Sequence, residues 1–497
     1  MLFGDDPQIY RMWKEGDDGE SSSKDIPAKV QELLTKYLKI REAEKNKFGE
    51  VFTPPSLIEC MLDKLGEYDK DAWTNPKGTF LDPAAGICNF AMVAYAKLMK
   101  GLSKAMPDDR KRSEHIIKNM LFNVELNPKN VTVARRIFGK NANIACGSSL
   151  EGAWVEGPNG PTWKAGSEKP VTEGVMKFGV VMGNPPYNKS KKGSAGNFGS
   201  IWQRFVAHAL AHETAKDGYI VLVHPRGWRG ANSDLLAKLT HEASMLYLEM
   251  HDDRSADRTF KGASIPGYDW YVVRTKKNRM QITDVCDVDG IMTQQRLDQW
   301  NLIPSGQFNK LSSVLATAPV TALGARVLYN ANQFDHRKKW MSVPGPGRPG
   351  NVVKSTPATG PVFLHTTTEN PDVKTTVKMF GIPKVILGDS TQGSAFYDTT
   401  GKYATAENAM GIEASETDGK SIMNALRSHA FKLYSARYLK FEGGFRLTAS
   451  TVRWLRKDFY KAFLPGGEIH KLYEEGKLKP PAERQCGYLP SCEITKF

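Results

Sequence analysis

The chain has 497 residues, and its 68 Lys and Arg against 54 Asp and Glu give a formal net charge of +14 at pH 7. This length allows two or more domains with substantial cores, and the positive charge favours a polyanionic partner such as a nucleic acid. The six cysteines are scattered without Cys-x-x-Cys pairs, which argues against a disulfide scaffold and a zinc site. Because no bilayer-spanning apolar stretch and no secretory signal appear, we expect a soluble intracellular protein without a membrane partner.

Residues 1–45 predict an N-terminal arm. Residues 1–24 are polar, and the apolar residues that follow have the spacing of an amphipathic helix. These residues are Val30, Leu33, Leu34, Tyr37 and Leu38. A cluster of Lys and Arg at 276–279 separates a regular strand-rich pattern from a less regular one, so we predict one domain at 46–276 and another at 277–497.

Three segments predict strands whose ends carry polar or small residues. The first ends at Asp82, which is followed by a turn through Ala84 and Gly86 and by an apolar helix. The second ends at Glu125, and the third runs from residue 143 into a Gly-Ser-Ser loop at 147–149. Open α/β sheets bind nucleotides at such ends, with backbone N–H groups at a helix N-terminus and a carboxylate on the ribose hydroxyls. Glu125 is the candidate ribose ligand, and the alternative is that it only caps the next helix.

A fourth predicted strand, residues 178–183, ends in the sequence Asn184-Pro185-Pro186-Tyr187. The Asn amide oxygen accepts a hydrogen bond from an amine, and prolines lack N–H donors but keep their carbonyl acceptors. Tyr187 adds an aromatic face. These groups suit a planar amine such as that of adenine, whose lone pair must be freed for attack. The alternative is a simple turn, which Asn-Pro also favours.

In this order, the motifs resemble those of S-adenosylmethionine-dependent DNA adenine N6-methyltransferases in the gamma arrangement, found in solitary methylases and in fused restriction-modification enzymes. In that family a phrase like residues 48–56 comes first and wraps the methionine end of the cofactor. The resemblance covers residues 48–274. It implies an α/β fold, with a Rossmann-like methyltransferase domain followed by a C-terminal mixed α/β target-recognition domain.

The resemblance assigns roles residue by residue. Catalysis is implied for Asn184, Pro185, Pro186 and Tyr187. S-adenosyl-L-methionine binding is implied for Phe52, Thr53, Pro54, Asp82, Pro83, Ala84, Gly86, Glu125, Leu126, Ser148 and Asn184. No metal is implied. Two positions depart from the family pattern, because Cys88 replaces a usual second glycine and Ser148-Ser149 replace a usual acid that accepts from the cofactor's adenine amine.

The implied activity is site-specific methylation of the N6 amine of adenine in DNA, by direct in-line displacement. A base within a duplex cannot reach such a pocket, so the adenine must be flipped out or lie in a single strand. Tyr187 is the expected stacking face, with Phe260 and Tyr268 as further candidates. Aromatic residues of a strand at 270–273 are more commonly part of a core.

The C-terminal part is expected to contact DNA. Residues 277–497 contain 29 Lys and Arg against 20 Asp and Glu, and mixed basic and aromatic stretches can lie along a phosphate backbone. The candidates are Arg337, Lys338, Lys339, Arg453, Arg456 and Lys457. The alternative is that these stretches are amphipathic helices whose cations face solvent.

Other classes of function remain open at this point. One is methylation of RNA adenine or of protein glutamine, because the latter enzymes also carry Asn-Pro-Pro-Tyr. Another is a catalytically silent nucleic-acid-binding or decoy protein that retains the fold. For the preferred interpretation we expect the cytoplasm of a bacterial or phage-infected cell.

Overall fold

The computed structural model describes most of the chain. The described residues are 7–16, 53–158, 160–166, 171, 174–187, 200–231, 233–260, 267–278, 280–369, 371, 373, 376–390, 394–440 and 447–478. The predicted helix around residues 30–38 and the candidate Phe52 lie outside them. The chain divides into two compact units, the first comprising Met1–Trp228, Asp234–Cys286 and Gln294–Asp298, the second Arg229–Ser233, Asp287–Thr293 and Gln299–Phe497. The domain boundary at 276 stays a prediction.

A nine-stranded sheet organises the first unit. Its strands are β1 (Phe80–Asp82), β2 (Leu121–Glu125), β3 (Asn143–Cys146), β6 (Phe178–Gly183), β7 (Thr214–Pro225), β8 (Ser244–His251), β9 (Tyr268–Arg274), β10 (Thr283–Cys286) and β11 (Met292–Gln295). A separate hairpin consists of β4 (Ala153–Val155) and β5 (Thr162–Lys164). The order in the large sheet is β11-β10-β8-β9-β7-β6-β1-β2-β3.

Most neighbouring strands of this sheet run parallel. The pairs β1–β2, β2–β3, β1–β6 and β6–β7 are parallel, whereas β9 runs antiparallel between β7 and β8. The chain builds outward from β1 to β3 and then returns to the other side of β1 with β6. This reversal is a topological switch point, at which the carboxyl ends of β1 and β6 leave a crevice.

Helices cover both faces of a sheet of this kind because parallel strands need crossover connections. Those of the first unit are Gln8–Gly16, Pro55–Tyr68, Asn89–Gly101, Asp109–His115, Pro128–Phe138, Trp202–His208, Asp234–Ala237 and Asp253–Thr259. Local signals set their ends. Asn127 caps the helix Pro128–Phe138 by accepting from Lys129 N, and that helix stops at Gly139, whose φ is +88°.

In the part of the chain that the structure describes, three helices end in a π turn that leads directly into a strand. The π turns are Ile116–Met120 before β2, Ala209–Glu213 before β7 and Lys238–Glu242 before β8. A π turn adds a residue to the ordinary helical turn and is frequent at functional sites. The second of these turns ends at a buried carboxylate, Glu213, which is only 7% exposed.

The core of the first unit lies between the sheet and its helices. The helix Asn89–Gly101 is buried on most of its surface, from Phe90 to Met99. Strand β9 contributes Trp270, Tyr271, Val272 and Val273, all of which are fully buried. The interpretation of this aromatic strand as core is confirmed.

The second unit is a mixed α/β region. Its strands are β12 (Val327–Leu328), β13 (Met341–Ser342), β14 (Val352–Ser355), β15 (Val362–Thr366), β16 (Lys384–Gly388), β17 (Ala395–Asp398), β18 (Ala404–Thr405) and β19 (Ala409–Glu413). They form two four-stranded sheets, β12-β19-β16-β17 and β13-β15-β14-β18. Its α-helices among the described residues are Leu311–Val314, Glu416–Arg427, His429–Tyr438, Ala449–Arg453, Tyr460–Phe463 and Glu468–Glu474.

A buried ion pair joins two strands of the second unit. Lys384 Nζ on β16 lies 3.1 Å from Asp398 Oδ2 on β17 and also donates to the carbonyl oxygens of Met379 and Ile382. Both side chains are almost completely buried.

The sheets and helices of the two units confirm the α/β class, with a Rossmann-like unit and a second mixed α/β unit. None of the helices in the described ranges is both long and apolar enough to cross a membrane.

Candidate active site

The crevice at the switch point brings together the ends of four strands. Its lining contains Asp82 at the end of β1, Glu125 at the end of β2, Ser148 after β3 and Asn184 after β6. Also in the lining are Thr53, Pro83, Ala84, Ala85, Gly86, Asn89, Phe90, Leu126, Gly147, Pro185, Pro186, Ile201 and Phe205. The structure thus places most of the predicted cofactor residues around one space.

The loop after β1 is fastened to β2. Ala85 N donates to the carbonyl oxygen of Val124 at 2.9 Å, and Gly86 N donates to Glu125 Oε2 at 2.7 Å. Ala84 N donates to Asp82 Oδ1 at 3.1 Å. The loop is therefore held by neighbouring strand ends and is small enough for a ligand to approach its backbone.

Two residues of this loop have left-handed backbone conformations. Gly86 has a φ of +58°, which glycine adopts without steric cost, whereas Cys88 has a φ of +69° at the N-cap of the helix Asn89–Gly101. Cys88 is the residue that replaces the family's second glycine. Its left-handed conformation gives a physical reason for glycine at that place, because a side chain there is strained.

Glu125 is buried and bonded on both carboxylate oxygens. Besides Gly86 N on Oε2, Oε1 accepts from Asn127 N at 2.7 Å and from Asn130 Nδ2 at 3.4 Å. It is 8% exposed, so it is not an acid on the surface of the next helix, whose cap is Asn127. Each carboxylate oxygen can accept more than one hydrogen bond, which leaves room for hydroxyl donors of a ligand.

The pKa of the Asp82 carboxyl reflects the electrostatics of the crevice. Burial raises its pKa to about 8, the Ala84 N–H opposes the shift, and the negative charge of Glu125 adds to it. Two carboxyl groups that disfavour each other's ionisation form a site in which a cation is stabilised. The crevice therefore fits a ligand that carries a positive charge and vicinal hydroxyl groups.

Gly183 allows β6 and β1 to approach closely at the crevice. Its φ is +153°, and a Cβ built on it would lie 2.7 Å from Asp82 Oδ1. The next three residues, Asn184, Pro185 and Pro186, line the crevice. The loop thus presents one side-chain amide and proline carbonyls beside the two carboxylates.

Tyr187 is buried behind these three residues. It is 5% exposed, and its carbonyl oxygen accepts from Ile201 N at 3.1 Å. Burial raises the pKa of its hydroxyl. Within the described residues, that hydroxyl has no hydrogen-bond partner.

The stacking candidates form a row of rings. Tyr187 and Phe260 meet edge to face with centroids 6.4 Å apart, and Phe260 meets Tyr268 at 4.9 Å. Tyr268 stacks on His251 at 4.2 Å. Phe260 and Tyr268 are each 2% exposed, so their rings pack in the interior of the first unit. Contact of these rings with a base stays a prediction.

The predicted residues of the N-terminal phrase separate at the crevice. Thr53 lines it and accepts from Asn89 Nδ2 through its carbonyl oxygen at 3.5 Å. Pro54 precedes the helix Pro55–Tyr68 as its N-cap and is not part of the lining. Phe52 lies outside the described residues.

Sequence reasoning missed several lining residues. Asn89 directly follows the loop at the first position of its helix, so its place could have been inferred from the motif. Ile201 and Phe205 belong to the start of a helix far along the chain, and no local pattern marks them. They become neighbours of the crevice only through the order of the strands.

The predicted DNA contacts lie in the second unit. Arg337 pairs with Asp335, and Arg456 pairs with Asp458. Lys338 lies over the ring of Trp340, with Nζ 5.9 Å from its centroid, and Lys339 and Lys457 are exposed. Arg453 is the last residue of the helix Ala449–Arg453, whereas the segment 336–340 is a turn rather than a helix.

Comparisons with known proteins agree with this geometry. Residues 22–225 match the family model described as N-6 DNA Methylase. A Mycoplasma pneumoniae protein described as an uncharacterized adenine-specific methylase is 27% identical over 253 residues, covering 38% of this chain and 59% of that protein. The chain thus spans less than two thirds of this relative.

Two of the solved structures to which the chain is similar are restriction-modification proteins. A modification subunit of a putative type I restriction enzyme from Vibrio vulnificus YJ016 is 14% identical, with 54% of this chain and 53% of that chain covered and a TM-score of 0.37. The type IIL restriction-modification enzyme MmeI, in complex with DNA, is 12% identical, with 91% and 76% covered and a TM-score of 0.49.

The strand order and the crevice define a doubly wound α/β protein with a Rossmann-like ligand site at its switch point. The match over residues 22–225 narrows this class, because this part of the chain is similar to the N-6 DNA methylase family.

Proposed function

We propose that the protein is an S-adenosyl-L-methionine-dependent, site-specific DNA methyltransferase that methylates the N6 amine of adenine. One observation carries the proposal: Asn184 and Pro185 share a single crevice with Asp82 and Glu125, in a chain that matches the N-6 DNA methylase family. The adenine-specific name of the Mycoplasma pneumoniae relative supports the target base.

The residues of the crevice suit each part of the cofactor. Asp82 would hold a cationic group, because its buried carboxyl is stabilised by a positive charge. Glu125 would accept ribose hydroxyls, and Leu126 and Ser148 would border the adenine ring. Thr53 and the backbone of residues 83–86 would enclose the remainder. When bound, S-adenosyl-L-methionine supplies an electrophilic methyl group on a sulfonium.

Asn184 and Pro185 act on the target amine. The Asn184 amide oxygen and the Pro185 carbonyl oxygen would accept hydrogen bonds from the two N–H groups of the amine. These bonds would draw the nitrogen towards tetrahedral geometry and localise its lone pair. Holding two reactants in line contributes on the order of 7–11 kcal/mol. The pathway needs no metal and no covalent intermediate.

The second unit would supply target recognition. Basic side chains that neutralise phosphates provide most sequence-independent affinity for DNA. Lys339 and Lys457 are exposed and suited to such contacts, whereas Arg337 and Arg456 are already paired with acids and would reach DNA only by exchanging those partners. The adenine would reach the crevice flipped out of a duplex or from a single strand.

The test incubates the full chain with labelled methyl donor and a panel of duplex DNA, single-stranded DNA and RNA, followed by digestion to nucleosides. We expect N6-methyldeoxyadenosine in one DNA sequence context. Asn184→Ala should lower the rate by about 100-fold or more, in the range measured for loss of one transition-state contact.

The matched control is Asn119→Ala, which removes an exposed amide before the start of β2, at the opposite end of that strand from Glu125, and should leave the rate unchanged. Label in RNA alone or in protein glutamine would assign a different substrate. Absence of any transfer together with absent cofactor binding would instead identify a catalytically silent protein.

A further inference from the structure

A second cavity lies in the first unit and shares no lining residue with the crevice. Its volume is about 290 Å³, and its lining includes the strand residues Leu81, Val124 and Phe178. Successive residues of a strand point to opposite faces of a sheet. Leu81 and Val124 therefore face this cavity where their neighbours Asp82 and Glu125 face the crevice.

Two tryptophans of the β4–β5 hairpin close the cavity. Trp154 and Trp163 pair across the hairpin and meet edge to face, with centroids 5.7 Å apart. Both indole nitrogens are buried, and neither has a hydrogen-bond partner among the described residues. Folded proteins pair nearly all buried donors, so two such donors at one cavity indicate a missing acceptor.

Glu213 completes the polar set. The π turn Ala209–Glu213 ends at this residue, which is 7% exposed and lines the cavity. Within the described part of the chain, its Oε2 atom has no hydrogen-bond partner. Burial raises its pKa to about 8, while Ser149 and Lys177 oppose the shift, so the carboxyl is mostly protonated at neutral pH.

The other titratable groups leave the interior largely uncharged. Burial, together with the neighbouring His212, Lys177 and Arg204, lowers the pKa of His208 to about 4, so it is neutral. Lys177 donates to the carbonyl oxygens of Ala211 and His212. An ionic ligand would therefore find no buried countercharge in the interior, whereas a flat neutral one would find aromatic walls.

We propose that this cavity binds a small uncharged heteroaromatic molecule of one or two fused rings, of which a free purine base is representative. Its ring nitrogens or carbonyl oxygen would accept from the Trp154 and Trp163 indoles. An amine or ring N–H would bond to Glu213. The site does not depend on the methyltransferase assignment, because none of its residues lines the crevice.

The test titrates adenine and hypoxanthine into the full chain by calorimetry, with and without S-adenosylhomocysteine. We expect saturable binding of one base per chain, and this binding should persist when S-adenosylhomocysteine is present. Trp163→Phe keeps an aromatic ring but removes the N–H, and loss of one hydrogen bond should weaken binding by about tenfold. Trp300→Phe removes another buried indole N–H that has no partner among the described residues; Trp300 lies in the second unit, and its substitution should change nothing.

A second readout avoids reliance on the variants' folding. In the wild-type chain labelled with ¹⁵N-tryptophan, the two indole N–H resonances of Trp154 and Trp163 should shift on addition of adenine. The proposal is overturned if neither base binds saturably, if Trp163→Phe binds as tightly as the wild type, or if S-adenosylhomocysteine displaces the base. The heat of binding of S-adenosylhomocysteine reports separately on the crevice, so failure of one proposal is distinct from failure of the other.

Discussion

Gly183 is the residue at which the crevice leaves least space for a side chain. Its φ of +153° is unfavourable for other residues, and a Cβ would meet Asp82 Oδ1 at 2.7 Å. We expect Gly183→Ala to lower the free energy of unfolding by about 1–3 kcal/mol and to weaken cofactor binding by displacing Asp82. Urea unfolding and calorimetry measure these two effects.

Gly179→Ala is the matched control on the same strand. A Cβ there would meet its nearest atom, the Thr79 carbonyl oxygen, at 3.5 Å, which is an ordinary contact. Its stability should be nearly that of the wild type. Equal stability of the two variants would contradict the close approach of β6 to β1.

Asp82 makes cofactor binding depend on pH. Its pKa in the native state is raised to about 8 from 3.8, so at pH 7 the free protein holds a proton on this carboxyl. A cation bound beside it lowers that pKa and releases the proton. The affinity for the methyl donor should therefore rise between pH 6 and 8, by up to about tenfold per unit, and level off above.

Proton release is measured by calorimetry at pH 7 in buffers of different ionisation enthalpy. Asp82→Asn, which keeps the acceptor for Ala84 N–H, should bind more weakly and release no proton from this position. The same raised pKa lowers native-state stability as the pH rises from about 4 to 8, because only the unfolded carboxyl is ionised in that range. A pH-independent affinity in the wild type would contradict this account.

At the scale of elements, the ion pair between β16 and β17 is an almost completely buried polar contact of the second unit. Lys384→Met leaves the Asp398 carboxylate buried without its cation. Removing one partner of a buried pair costs about 3–5 kcal/mol, and we expect a loss of this size in urea unfolding of the second unit. Lys402→Met removes an exposed cation nearby in sequence and should cost less than about 0.5 kcal/mol.

The strands that carry motifs were predictable from sequence. The apolar run at 178–183 followed by Asn-Pro-Pro gives β6 its bounds, since prolines cannot continue a ladder. The ends at Asp82 and Glu125 were likewise marked by a change from apolar to polar residues. These signals are local, and the structure agrees with them.

Other elements had no local signal. The position of β9 between β7 and β8 depends on pairing between strands that are distant along the chain. No local pattern in the sequence reveals such pairing. The π turn that ends at Glu213 also escapes prediction, because one additional residue in a helical turn leaves the apolar period almost unchanged. The second cavity, which Glu213 lines, was likewise not predicted.

At the scale of the whole molecule, charge decides how binding responds to salt. The chain carries a formal charge of +14, and each phosphate contact changes the slope of log K against log salt by about 0.9. We expect Lys457→Ala and Lys339→Ala each to reduce that slope by about 0.9, measured by fluorescence anisotropy with duplex DNA. Lys77→Ala removes an exposed cation of the first unit and should leave the slope unchanged.

Sequence reasoning treats domains as consecutive segments, and here the units are not consecutive. Arg229–Ser233 and Asp287–Thr293 belong to the second unit although they lie between parts of the first. Arg229 shows the cause, because its guanidinium donates to the carbonyl oxygen of Ile303 at 3.0 Å and to Ser305 Oγ at 3.1 Å, both within the second unit. A buried arginine of this kind is not recognisable from composition.

The bond from Gly86 N–H to Glu125 means that the loop facing the cofactor is assembled in advance. A preorganised surface loses little entropy on binding, and under the proposed function it would hold the ribose of the demethylated product as it holds that of the donor, because the product lacks only the methyl group and the positive charge at the sulfur. Departure of that product is then a natural candidate for the slowest event of the cycle, and turnover in a cell becomes sensitive to the ratio of donor to product.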